Sequence, residues 1–382
     1  MAMVVANFTG AEADELRRAV GMRRSWERMK NLEGKLRSGM TTNGIDAKTQ
    51  DTIVQNISSF ALYGFPESHA ASFALLAYAS AYFKVKYLAA FSCAILNNQP
   101  MGFYSPAVLV KDAQRHGLRI KPVDVQISDW PCTIEHESDG TLSLRLGLRY
   151  ARGLTKHSAE ALVASRHIDG LFLSVEDLAQ RVPPLSRGEL TRLAQIGALN
   201  QLDGIEHRRD ALWQVQRAGK LEGPLFRRDS GSLREDSDAR PLQQMNIAER
   251  LVADYAGTGL TVGKHPMYYR RAELSRDQVL SAEELKAREN GEFVRTAGCI
   301  IARQRPGTAK GFIFISMEDE TGIANVIVTP KLYDRDRLVV TRSKFLLVEG
   351  TLQNQDSVVH VKATSLKALS DAALEVRSHD FH

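Results

Sequence analysis

The 382-residue chain has room for two or three domains, at roughly 150 residues each. Its 43% hydrophobic and 25% charged residues exclude a wholly disordered chain, while 50 Lys and Arg against 45 Asp and Glu leave a net charge of only +5, so charge placement must decide whether nucleic acid is a partner. Cys93, Cys132 and Cys299 lie far apart with no CxxC pair, which excludes a disulfide framework and a zinc ribbon and fits a reducing cytoplasm.

The first 120 residues read as helical. Met1 leads into a mixed segment that turns acidic at Glu12 and Asp14, unlike a secretory signal. Thr9 and Glu12 have capping-box spacing, and Asp14 and Glu15 add favourable charge to the first turn. A second helix opens at Ser68 and is apolar nearly all round through Tyr82, a pattern normally buried on most sides. Lys84 and Lys86 cut the apolar run 70–96 into pieces shorter than the roughly 18 residues that span a bilayer. A soluble cytoplasmic protein with no membrane contact is expected. The run stops at Asn97, Asn98, Gln99 and Pro100, and a third helix over 105–116 closes at Gly117.

After Pro122 the pattern changes. Short strands over 132–135 and 142–148 flank an Asp139-Gly140 turn, and short helices over 156–165, 175–181, 186–196 and 206–217 follow. Residues 227–240 hold eight charged residues in fourteen and read as a linker. From residue 293 the period switches to two, giving strands over 293–303, 312–317, 324–329, 345–352 and 358–364, with a helical piece over 331–336. Five such strands suggest an OB-type barrel, a fold used on single-stranded nucleic acid.

Four constellations carry chemistry. Arg17, Arg18, Arg23, Arg24, Arg28, Lys30, Lys35 and Arg37 outweigh Glu27 and Glu33. Adjacent guanidiniums fork onto the oxygens of a triphosphate or a nucleic-acid backbone, although a solvated helix face explains the same cluster. In the Tyr63-to-Ala70 stretch YGFPESHA, Gly64 and Pro66 force a turn and His69 stands on the following first helical turn, where a nearby anion is favoured. A packed structural histidine is the plain alternative. Gly147 to Lys156, GLRYARGLTK, looks like half a helix-hairpin-helix, with 186–198 as its paired half. Its tight turn aims backbone N–H groups at a phosphate. Thr155 stands where a second glycine is usual, and a generic helical hairpin fits the pattern nearly as well. In the barrel, Arg303, Arg305, Lys310, Phe312 and Phe314 combine cations with aromatics, as stacking on bases requires. Phe312 and Phe314 alternate with Ile313 and Ile315, and the pattern leaves open which set faces out.

No nucleophile elbow, Walker loop or HExxH occurs. Glu318, Asp319, Glu320, Asp334 and Asp336 fall in barrel turns, and Glu235, Asp236 and Asp238 in the linker, so no carboxylate set for two-metal chemistry is visible.

The segments TGAEADELRRAVG (9–21), YGFPESHAASFALLAYASAYFK (63–84), LNNQPMGFYSPAVLVKDAQRHG (96–117), RQRPGTAKGFIFISMEDETG (303–322) and SHDFH (378–382) resemble the C-terminal part of bacterial C-family DNA polymerases. NNQPMGFYSP and the DFH end favour the error-prone, translesion branch over the replicative one. The resemblance implies a multidomain α+β chain: a helical fingers portion over 1–125, a tandem helix-hairpin-helix region over 126–223, connecting segments over 224–291, an OB-type β-barrel over 292–370 and a tail over 371–382. It implies that Arg17, Arg18 and His69 meet the dNTP and the nascent pair. Gly153, Leu154, Thr155 and Lys156 would grip duplex DNA, and Arg303, Arg305, Lys310 and Phe312 would meet single-stranded template. The three palm aspartates that bind Mg²⁺ have no counterpart here, so nucleotidyl transfer would need residues outside this chain. Gly223-Pro224-Leu225-Phe226 lacks the glutamine of a clamp-binding peptide, which implies recruitment to the sliding clamp through a Y-family-like accessory protein. A stand-alone DNA-binding module is the alternative for the chain as it is, and an RNA-binding barrel of the anticodon type would leave the helical half unexplained.

Overall fold

A computed structural model describes residues 2–21, 26–63, 67–102, 104–218, 242–355, 358–369 and 379–381. The chain opens with α1 (Ala2–Val5), α2 (Gly10–Gly21), α3 (Trp26–Thr42) and α4 (Ala47–Tyr63). Leu16 and Ala19 of α2 meet Leu36, Met40 and Val54 around Phe8, forming a small separate core. The capping box forms as the sequence predicts: Thr9 N–H donates to Glu12 at 2.8 Å and Glu12 N–H to Thr9 Oγ at 3.3 Å.

The next helix departs from expectation. α5 (Glu67–Lys86) and α6 (Leu88–Asn97) are separated at Tyr87, whose backbone (φ −136°, ψ 50°) is not helical. Leu75, Tyr78 and Val85 of α5 are 69%, 72% and 76% exposed, so the apolar helix expected to be buried lies open along most of its length. The composition dictates a helix that wants partners on several sides. Among the described residues nothing covers its middle.

α7 (Pro106–Arg115), capped by Ser105, leads into a three-stranded sheet of β1 (Arg119–Lys121), β2 (Thr133–His136) and β3 (Leu142–Arg145), in the order β1-β3-β2. Four helices follow: α8 (Lys156–Asp169), α9 (Val175–Arg181), α10 (Arg187–Gln195) and α11 (Arg208–Ala218). Leu96, Val110, Leu144, Leu162, Leu178 and Leu199 share one core, which crosses the expected boundary at residue 125. α8, α9 and α10 follow the predicted spans to within a few residues, because each has its own cap: Thr155, Ser174 and Ser186 accept from N–H groups of the first turns.

The 227–240 linker and the 223–226 peptide lie outside the described residues. The chain resumes with α12 (Ile247–Thr258), α13 (Arg271–Arg276) and α14 (Ala282–Lys286), and then the barrel. Its strands are β4 (Phe293–Gln304), β5 (Ile313–Glu318), β6 (Ile323–Val328), β7 (Phe345–Gln355) and β8 (Val358–Ala368), with α15 (Pro330–Arg342) between β6 and β7. The order β5-β6-β8-β7-β4, closed by a β4–β5 pairing, makes a five-stranded barrel of OB topology. A bulge between Ile300 and Ala302 bends β4, so that its first half pairs with β7 and its second with β5. A short β9 (His379–Phe381) runs parallel to Ala302–Gln304.

A buried ionic lock ties the barrel to the helices. Arg115 of α7 donates to Glu318 at 2.8 Å, and Arg271 of α13 pairs with Asp319 at 3.0 Å and with Glu320. Asp319 also accepts from Ala282 N–H at 2.7 Å. Lys111 and Gln114 of α7 donate to the carbonyls of Gly263 and Val262 in the connector. The barrel-turn carboxylates therefore have a structural task.

Candidate nucleic-acid interface

The hairpin before α8 is built around one carboxylate. Gly153 adopts φ +82°, which only glycine takes without strain, and a Cβ there would meet the Arg192 side chain at 2.8 Å. Thr155 caps α8, and its own N–H donates to Glu189 Oε1 of α10 at 2.8 Å. Glu189 also accepts from Ser186 N–H and Oγ and from Ser158 Oγ, so one buried carboxylate closes the α10 capping box and joins it to the hairpin. Burial alone would raise this carboxyl, but the Thr155 and Ser186 hydrogen bonds outweigh it and hold it at about 2.

That geometry reassigns part of the matched motif. Leu154 is buried at 7% and its N–H donates to Ala151 O, so its side chain belongs to the core. Thr155 spends its amide on Glu189. Gly153 and Lys156 stay exposed at the start of α8, Lys156 beside Glu160 at 3.5 Å. Arg192, exposed and packed over Gly153, joins them as a cation that the motif alone did not single out. Its position seven residues into the paired half, on the face toward the hairpin, was the available signal.

On the barrel, register settles the alternation. Ile313 and Ile315 are buried and Phe314 is exposed, so the isoleucines face the core. Cross-strand partners place Gln304, Phe314, Ile327 and Lys362 in one row over β4, β5, β6 and β8, all on the outer face with Phe314. Phe314 and Lys362 stand two strands apart, about 10 Å. An exposed ring and a cation at that spacing can receive a base and its backbone. Arg305 is exposed and stacks over Tyr333 at 4.8 Å, and Lys310 is exposed at the loop's left-handed turn, φ 49°. Arg303 and Phe312 are less open. Arg303 donates from Nε to Val340 O at 2.7 Å and from a terminal nitrogen to Ser343 O, stapling the end of α15. Phe312 is half-buried just before β5.

At the other end of the chain, Arg17 and Arg18 project from the exposed face of α2. Asp14 holds both, at 2.8 and 2.9 Å, and the Arg17 hydrogen bond draws its carboxyl below the ordinary range. The barrel turn at Gly307–Ala309 lies against α2. His69 stands in the first turn of α5, and its side chain lies outside the described residues. Acidic groups near the arginine pair do not fit the Mg²⁺ that the resemblance implies: Asp14 is held by two guanidiniums, and Glu12 caps α2 and pairs with Lys35. Among the described residues no three His, Cys, Asp or Glu side chains gather as metal ligands.

Family comparisons agree with both halves of this interface. A helix-hairpin-helix motif matches residues 117–211, and an OB-fold nucleic acid binding domain matches 294–369. The error-prone DNA polymerase of Alkalilimnicola ehrlichii is 44% identical over 388 residues, covering 100% of this chain and 37% of its own. Those of Azoarcus sp. and Pseudomonas syringae pv. tomato are 45% and 44% identical, again over 100% of this chain and 36% and 37% of theirs. The chain thus spans a little over a third of the length of the curated relatives it matches. No helix among the described residues is long and apolar enough to cross a membrane. Matched from end to end, the chain resembles the C-terminal part of bacterial C-family error-prone DNA polymerases.

Proposed function

We propose that this chain is the DNA- and dNTP-handling part of an error-prone polymerase that acts in damage-induced translesion synthesis and DNA repair. The observation that carries the reading is identity of about 44% to error-prone DNA polymerases along the whole chain, including both nucleic-acid-binding regions. In this account the hairpin with Gly153, Lys156 and Arg192 holds the duplex phosphates. The outer barrel face with Phe314 and Lys362, flanked by Arg305 and Lys310, takes the single-stranded template. Arg17 and Arg18 hold the triphosphate of a dNTP while the primer 3′ hydroxyl attacks its α-phosphorus and pyrophosphate leaves. Metal-binding residues for that step would come from the further length of the relatives. The open apolar surface of α5 supports the same division, since an apolar helix of this length is stable when other polypeptide covers it. Recruitment to the sliding clamp through a Y-family-like accessory protein completes the reading.

The test places Arg17→Ala and Arg18→Ala in a full-length error-prone polymerase. Loss of each charge-assisted contact should raise the apparent dNTP KM by about tenfold. Unchanged incorporation kinetics would remove the triphosphate role. The alternative, a stand-alone DNA-binding module, draws on the commitment of Glu12 and Asp14 to other tasks. Primer extension with the 382-residue chain tests it: DNA binding without extension favours the module, and extension by the chain alone overturns it.

A further inference from the structure

The far end of α8 carries a second surface. Ile127, Ile168, Leu171 and Leu173 are 49%, 80%, 61% and 67% exposed. They form one patch because the chain is pinned there: the Gln126 side-chain amide donates to Phe172 O at 2.6 Å and accepts from Phe172 N–H at 3.0 Å. Phe172 itself is buried, while Leu171 and Leu173 on either side of it are exposed, as is Ile127. Arg166 fastens the turn below by donating to Val125 O and Ser128 O. The patch is therefore held rigid before any partner arrives.

Its surroundings select the partner. Asp129, Asp169, Glu176 and Asp177 rim the patch, against Arg166 and Arg181, whose side chains are largely buried. Four carboxylates against two guanidiniums leave the rim with two negative charges. The backbone offers no open edge for an added strand. Arg181 donates to Gly170 O and Leu171 O, Leu173 N–H donates to Asp177 at 2.9 Å, and Gln126 takes both groups of Phe172. Recognition must run through side chains. α8 has 14 residues and is about 21 Å long, which sets the patch that far from the Thr155 hairpin. It stays open while the hairpin is occupied.

We infer that this patch docks a protein partner through an amphipathic helix with an aliphatic stripe flanked by Lys and Arg. The inference stands apart from the polymerase reading and does not depend on it. The probe is a fluorescein-labelled 18-residue helical peptide of Leu and Lys, compared with its Leu and Glu counterpart, titrated with the 382-residue chain by anisotropy. The Leu/Lys peptide should bind. Leu171→Ser/Leu173→Ser should weaken it by about tenfold or more, and Asp169→Lys/Glu176→Lys should do likewise, with unchanged circular dichroism and unchanged duplex-DNA affinity. Equal binding of both peptides, or of the Leu/Lys peptide by parent and variants, would overturn the inference. So would a concentration-dependent dimer abolished by the Ser variant, which would make a second copy the occupant.

Discussion

Glu189→Ala should destabilise the chain by roughly 3 kcal/mol at neutral pH and weaken its hold on duplex DNA, although Glu189 is not offered to DNA. The substitution leaves Thr155 N–H and Ser186 N–H without their acceptor and dismantles a capping box, in a place where burial makes each loss expensive. The pH dependence gives the effect a signature. The Glu189 carboxyl is held at about 2 in the folded chain, below its ordinary 4.5. Stability from such a group is complete above about 4.5 and lost as pH falls toward 2. Denaturant unfolding should therefore show a gap between parent and variant that is full at pH 7 and narrows at pH 3. A gap that stays constant between the two would mean that Glu189 does not organise the hairpin as an anion.

Arg115→Met should cost about 3–5 kcal/mol at pH 8, the penalty for leaving a buried carboxylate without its partner. Burial outweighs the pull of Arg115 and Lys111 and pushes the Glu318 carboxyl up to about 7. A carboxyl raised above its ordinary 4.5 contributes stability that is complete below 4.5 and lost as pH rises through 7. Without Arg115 the charged form is worse placed still, so the deficit of the variant should shrink between pH 8 and pH 5.5 as Glu318 takes up a proton. His265, also facing Glu318, is buried and pulled down to about 3. Its stability contribution is lost as pH falls from 6.5 toward 3; burial is the main cause and survives the substitution, while Arg115 adds a lesser push, so the difference between parent and variant reads chiefly Glu318. Thermal unfolding at the two pH values reads the difference, and a deficit as large at pH 5.5 as at pH 8 would contradict it.

Much of this architecture is written locally. Thr9, Thr155, Ser174 and Ser186 mark helix starts because a cap needs only its own next three residues. The barrel strands announce themselves by period two, and α15 between the third and fourth completes the OB order. What escaped the sequence depends on distant partners. Arg303 reads as a template contact until α15 brings Val340 and Ser343 carbonyls to it, 37 and 40 residues later. Phe314 becomes the outward aromatic only through its register with Gln304 and Ile327. Glu189 looks like an ordinary capping-box residue until the fold sets it under Thr155. The helical character of α5 was legible, but burial is a property of neighbours, and among the described residues none covers its middle.

Binding to a recessed-end duplex tests the central claim most directly. Titrated against a labelled primer–template by anisotropy at 50 to 200 mM salt, the 382-residue chain should bind with an affinity that falls by about 10²-fold across the range, the slope expected when about four phosphates are neutralised. An affinity for that duplex that is absent, or that does not respond to salt, would contradict the account.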